Sequence, residues 1–248
     1  MKYILLILLI AFAPASFGQS KSRKKETDTL LIKLLKYIPE EEQSRYRRQY
    51  KRMSSEQKKL SATMMDFFAN MAQSSKKQLI QNVDTNYAQI AALKEFYSKI
   101  VPSEFAVYVE FKPPDKILQT DESIDLWVYK KSSAGQYEVV FQEWNVELKS
   151  KTLDSLLQLT PLTRDNLKDL KFYLDKAHCI SISNRDGCEI GYARSGMGKY
   201  SYLIFDNPLN EEERAKYNDG CTYIFYKDNI VLEYGGGAIG SQCFPDSE

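Results

Sequence analysis

The chain has 248 residues, with 34 Lys and Arg against 33 Asp and Glu, 43% hydrophobic and 27% charged residues. That balance excludes a disordered, collagenous or polytopic membrane chain and leaves an ordinary globular composition. The formal charge of +1 falls to zero once Lys2 leaves with the leader described next, so no nucleic acid is expected as a partner.

Residues 1–18 carry one basic residue, Lys2, an apolar run from Tyr3 to Ala13, then Pro14 and the small residues Ser16 and Gly18. This pattern predicts a secretory signal peptide cut before Gln19. The run is far shorter than the roughly 20 residues of a membrane-spanning helix, so no transmembrane anchor is expected after cleavage. Residues 19–29 are basic and polar without apolar periodicity, which predicts a disordered leader.

Helical spacing begins at Leu30, Leu31, Leu34, Leu35 and Ile38. A second helix follows Pro39, with Glu40, Glu41 and Glu42 at its start and Arg47, Arg48, Lys51 and Arg52 toward its end, as the helix dipole favours. Ser54 with Gln57 predicts a capping box before a third helix, whose apolar stripe is Leu60, Met64, Phe67, Phe68 and Met71. A fourth stripe runs through Ile80, Val83, Tyr87, Ile90, Tyr97 and Ile100. Residues 30–101 are therefore read as a helical region.

After Pro102 the apolar period changes from 3.6 to 2. Strands are expected at 105–111, 124–129 and 137–146, forming a β-meander, then helices at 151–159 and 163–177. Further strands follow at 179–184, 188–194, 200–206, 221–227 and 230–234, with a short helix near 209–217. Asp186-Gly187 and Asp228-Asn229 predict tight two-residue hairpin turns. Because strands come in runs, the fold class is α+β: a helical N-terminal region followed, over 102–248, by an antiparallel-sheet domain with packed helices.

All four cysteines, Cys179, Cys188, Cys221 and Cys243, fall in the C-terminal 70 residues, which in an exported chain predicts two disulfides. No C-x₂-C pair occurs and His178 is the sole histidine, so no metal and no cofactor is expected. A two-residue turn at 186–187 would set Cys188 against Arg185 and Cys179 against Arg194, too far apart for a bridge. Cys221–Cys243 alone is within reach, yet it would leave the other two as thiols. Full oxidation therefore predicts the crossed pairings Cys179–Cys221 with Cys188–Cys243, or Cys179–Cys243 with Cys188–Cys221.

Gly235-Gly236-Gly237-Ala238-Ile239-Gly240 matches a dinucleotide fingerprint, but eight residues remain after it, too few for the helix and acidic ribose ligand that such a site needs. Arg194-Ser195-Gly196-Met197-Gly198-Lys199 satisfies neither a P-loop nor a nucleophile elbow, although its glycine amides flanked by two bases could cradle an anion. The candidate ligand-binding residues are accordingly Arg194, Ser195, Gly196, Lys199, Gly235, Gly236 and Gly237. No catalytic residue is assigned: His178 and Cys179 are neighbours that would point to opposite faces of a strand, and Glu189 and Glu233 fit the wet face of a sheet. The basic cluster around Arg45 to Lys59 is read as a solvated helix face, with Tyr46, Tyr50 and Met53 packing inward. The aromatics of YSYLIF, CTYIFY and IVLEY exceed what a half-wet sheet needs, so helices should cover some and a binding face the rest.

These readings converge on an exported, non-enzymatic binding module, secreted or periplasmic, whose partner is a protein or glycan of the envelope. The alternative is an extracytoplasmic hydrolase with its site near the 194–199 and 235–241 loops.

Overall fold

The computed structural model describes residues 30–32, 34–35, 38, 40–69, 71–114, 121–185, 187–237 and 242–244. The expected signal peptide and basic leader lie outside them. The described residues fall into two compact units, one ending at Ala72 and one starting at Gln73.

In the first unit, helix α1 spans Glu40–Tyr50 and α2 spans Ser55–Ala69. The capping box is present: Ser54 Oγ accepts from the Gln57 N–H at 3.2 Å, and Gln57 Oε1 accepts from the Ser54 N–H at 2.7 Å. Leu34, Leu35, Ile38, Tyr46, Tyr50 and Met65 form the core of this unit, so the tyrosines do point inward, while Arg45, Arg47, Arg48, Lys51 and Arg52 are exposed. The buried stripe of α2 differs from the expected one by one position. Ser61 and Met65 are buried, whereas Leu60 and Met64 face solvent. One residue is a 100° rotation of the helix, and a run as evenly apolar as Thr63-Met64-Met65 does not set that angle by itself.

The second unit is α+β. Helix α3 (Lys76–Ile100) is followed by β1 (Phe105–Lys112), β2 (Ser123–Lys131), β3 (Tyr137–Glu147), α4 (Lys151–Leu157) and α5 (Arg164–Lys176). Then come β4 (Ser181–Ser183), β5 (Cys188–Ser195), β6 (Gly198–Ile204), α6 (Glu211–Lys216), β7 (Tyr223–Lys227) and β8 (Ile230–Gly235). The strands form one sheet in the order β3-β2-β1-β4-β5-β6-β8-β7, each neighbouring pair antiparallel. The sequence reading groups α3 with the N-terminal helices, but α3 packs with α5 against the sheet, and its buried Leu79, Val83, Ile90, Leu93 and Tyr97 belong to the main core.

Strand alternation divides the sheet into two faces. Val107, Val109, Phe111, Ile124, Leu126, Val128, Ile182, Ile190, Tyr202 and Leu232 enter the core beneath the helices. Burying each such side chain contributes about 1.5–3 kcal/mol. Core hydroxyls find partners: Tyr97 donates to the Val107 carbonyl at 2.6 Å and Tyr202 to the Leu79 carbonyl at 2.7 Å. The tail aromatics prove to be covered. Tyr200, Tyr202 and Tyr234 are in the main core, and Phe205, Tyr217, Tyr223 and Phe225 pack on Leu203, Leu209 and Val231 on the sheet's other face.

Two of the cysteine expectations need correction. Cys221 and Cys243 form a disulfide, while Cys179 and Cys188 are free thiols, so the described chain holds one bridge and neither crossed pairing. The turn at 186–187 is also longer than expected. Ser183 faces Glu189, where a two-residue turn would set it against Ile190. The observed register places Ile182 opposite Ile190, both in the core, and the match of apolar residues outweighs the local turn signal. Cys179 does not pair with Cys188, as the hairpin argument requires: Ser181 faces Gly191, and the offset of five residues amounts to roughly 16 Å along the strand.

Candidate functional site

The face of the sheet opposite α3 and α5 carries a row of mostly polar residues aligned across seven strands. Asp125 faces Glu110, Glu110 faces Ser181, Ser181 faces Gly191, Gly191 faces Ser201, Ser201 faces Glu233, and Glu233 faces Tyr223. Strand alternation puts them on one side because their neighbours in each strand are the core residues named above.

The acids of this row meet bases from the adjacent pleats. Arg194 binds Glu110 through two parallel bonds, Nε to Oε1 at 2.8 Å and Nη2 to Oε2 at 2.7 Å, and the Glu110 side chain is only 2% exposed. Tyr108 donates its hydroxyl to the same carboxylate. Burial, reinforced by the Glu110 charge, holds the Tyr108 phenol protonated far above its ordinary range. Lys199 lies over the Tyr108 ring, with Nζ 4.9 Å from the centroid, and ends on Glu189 at 2.7 Å, which also accepts from Ser201 Oγ at 3.0 Å. Lys112 pairs with Asp125 at 2.7 Å. Gly191 makes this packing feasible, since a β-carbon there would sit 2.0 Å from Ser181 Oγ and 3.2 Å from the Lys199 stem.

The sequence-predicted residues are therefore distributed as follows. Arg194 and Lys199 direct their charges to Glu110 and Glu189. Ser195 Oγ donates to the Ser74 carbonyl at 3.0 Å and accepts from the Ser74 N–H at 3.2 Å. Gly196 supplies a positive φ of 59° in the β5–β6 turn. The two glycine segments do come together: Lys199 faces Gly235, and a β-carbon on Gly237 would lie 2.3 Å from Met197 Cβ. Gly236 approaches Gln242, with a β-carbon position 2.7 Å from its Oε1. Residues 238–241 lie outside the described ones. His178 is exposed at the end of α5 with φ 52°, and Glu233 lies across from Ser201 in the polar row. Burial raises the Cys179 and Cys188 thiols to about 12, which suppresses thiolate formation.

An aromatic ladder at the β1–β3 end of this face was not foreseen from sequence. Tyr108 stacks on Trp127 with centroids 4.4 Å apart, and Trp127 meets Trp144 edge-on at 5.7 Å. Trp144 is 54% exposed, on an edge strand that also exposes Val139 and Val140. Its presentation depends on Asn145, whose φ of 54° breaks the pleat. Asp125 accepts the Asn145 N–H at 2.9 Å, and Lys112 donates to Asn145 Oδ1 at 3.0 Å. Asn is among the few side chains that enter this left-handed region readily, so the Trp144-Asn145 pair was a readable signal. Strand β3 exposes Glu138, Glu143 and Glu147 and contains no base.

Among the described residues no helix is long and apolar enough to cross a membrane. Comparison with protein families, with characterised proteins and with solved structures finds no match to this chain.

Proposed function

We propose that this protein is an exported binding module that docks a protein partner of the envelope or extracellular space along β3. The observation that carries the reading is the exposed Trp144, backed by Trp127 and Tyr108, on a sheet edge with apolar Val139 and Val140 and a one-signed row of acids. Exposed aromatics over a rigid layer are typical anchors of interfaces. A free sheet edge can add an extended segment through main-chain hydrogen bonds, and the three glutamates favour a segment bearing Lys or Arg. Export is supported by the signal-peptide pattern of residues 1–18 and by the Cys221–Cys243 bridge.

The polar row, with Glu110 paired to Arg194 and Asp125 to Lys112, serves in this reading as the rigid support of that surface. The experiment is capture from an envelope extract by the wild-type chain and by Trp144→Ala, with mass spectrometry of what is retained. A protein retained by the wild type and lost with Trp144→Ala and with Val139→Asp supports the reading. Equal retention by all three chains, or none by the wild type, overturns it.

A further inference from the structure

A second surface, distant in sequence from β3, has a different chemistry. Where α3 crosses β5, a groove of about 290 Å³ is lined by Gln78, Gln81, Asn82, Thr85, Asn86 and Tyr192. These are four amide-bearing residues and a threonine from α3 and one tyrosine from β5, with no charged side chain in the lining. We infer that this groove is a binding site for a neutral polyhydroxylated ligand, a saccharide unit.

The groove is held in shape from below. Asn82 is buried, and its Nδ2 donates to the Ala177 carbonyl at 3.2 Å and lies 3.2 Å from the Tyr202 hydroxyl. Its Oδ1 accepts from Asn86 Nδ2 at 2.8 Å, which leaves the Asn86 carbonyl oxygen as an acceptor. Asn86 itself departs from helical geometry, with φ −117° and ψ 23°, inside an otherwise continuous helix of 25 residues. The kink falls at the groove.

The lining selects ligand chemistry by elimination. An ionised ligand would find no opposite charge in the groove and would lose its hydration. An apolar ligand would strand the amides of Gln81 and Asn86 without partners, at about 1–3 kcal/mol for each group. A sugar hydroxyl both donates and accepts, as a carboxamide does, so adjacent hydroxyls match Asn and Gln in pairs. The half-buried Tyr192 ring offers a flat apolar surface to the C–H face of a ring, and its hydroxyl adds a polar tip. The volume is slightly below the about 300–1,000 Å³ usual for drug-sized ligands, which suits a single sugar or the end of a chain.

Saturation-transfer NMR on the full-length protein tests this with glucose, galactose and N-acetylglucosamine as probes, and with glucuronate and glucose 6-phosphate as charged counterparts. Transfer to at least one neutral sugar with millimolar affinity is expected, together with weaker transfer to the charged forms. The double variant Gln81→Ala/Thr85→Val, on exposed helix positions that do not support the core, is expected to lower affinity at least tenfold with an unchanged melting curve. No transfer from any neutral sugar at 10 mM, equal transfer from the charged forms, or binding retained by the double variant would overturn the inference. None of these residues lies on β1–β3, so the outcome is independent of the docking surface at Trp144.

Discussion

Gly191 faces Ser181 across the β4–β5 pairing so closely that a β-carbon on Gly191 would lie 2.0 Å from Ser181 Oγ. Ser181 is 1% exposed, its hydroxyl has no hydrogen-bond partner among the described residues, and the same β-carbon would also sit 3.3 Å from Ser181 Cβ and 3.2 Å from the Lys199 stem. Gly191→Ala is expected to cost about 1–3 kcal/mol through overpacking. Adding Ser181→Ala removes the obstructing atom and should restore part of that loss. Urea unfolding followed by tryptophan fluorescence reads the cycle, since both tryptophans sit on β2 and β3; additive losses would mean that the two positions do not clash.

The Arg194–Glu110 pair gives a second expectation. Arg194→Met leaves a carboxylate that is almost wholly buried without its bidentate partner, which costs about 2–3 kcal/mol, toward the low end for a buried pair because the arginine is itself 40% exposed. Arg194→Met combined with Glu110→Gln should be more stable than Arg194→Met alone. Equal midpoints for wild type and Arg194→Met would show that the pair contributes nothing net.

Cys179 and Cys188 should resist modification in the native state. Iodoacetamide at pH 8 is expected to label neither until the chain is unfolded, and then to label both. The pH dependence has a definite sign. An unfolded thiol loses its proton near 9.0, whereas the folded thiols keep theirs to about 12. Across that window the native state binds more protons than the unfolded one, so stability falls as pH rises from about 9 to 12. Replacing both by Ser should flatten that decline; an unchanged slope would assign it to other groups.

Reduction should loosen one corner only. The Cys221–Cys243 bridge closes a separation of 22 residues and anchors Phe244, whose N–H donates to the Cys221 carbonyl at 2.9 Å and whose ring packs near Tyr200 and Tyr234. Its loss is expected to cost about 3 kcal/mol. Amide exchange should quicken at Phe244, Tyr223 and Tyr234 while α3, β1 and β2 keep their protection. Uniform quickening through the second unit would contradict a local role.

The parts of this structure that were legible in the sequence are those governed by short-range periodicity. The Val83, Ile90 and Tyr97 positions of the α3 stripe, the alternation in β1 and β2 and the Ser54–Gln57 capping box each follow from residues within a few turns or pleats of one another, whereas Tyr87 of the expected stripe faces solvent and Leu79 and Leu93 take its place in the core. The disulfide framework was partly legible: the hairpin argument excluded Cys179–Cys188, but an even cysteine count gave no hint that two thiols stay free, Cys179 buried and Cys188 half-buried at the edge of the core. What lay beyond the sequence was decided by partners distant along the chain. The β4–β5 register was set by Ile182 meeting Ile190 rather than by the turn, and Arg194 and Lys199 read as an anion cradle until the order β1-β4-β5-β6 carried Glu110 and Glu189 beside them. The groove at Asn86 likewise needs Tyr192, more than a hundred residues later, to close it. Local propensity is a property of neighbouring residues, whereas which charge is neutralised and which aromatic is left exposed depends on strand order, and strand order arises only when the whole sheet buries one face.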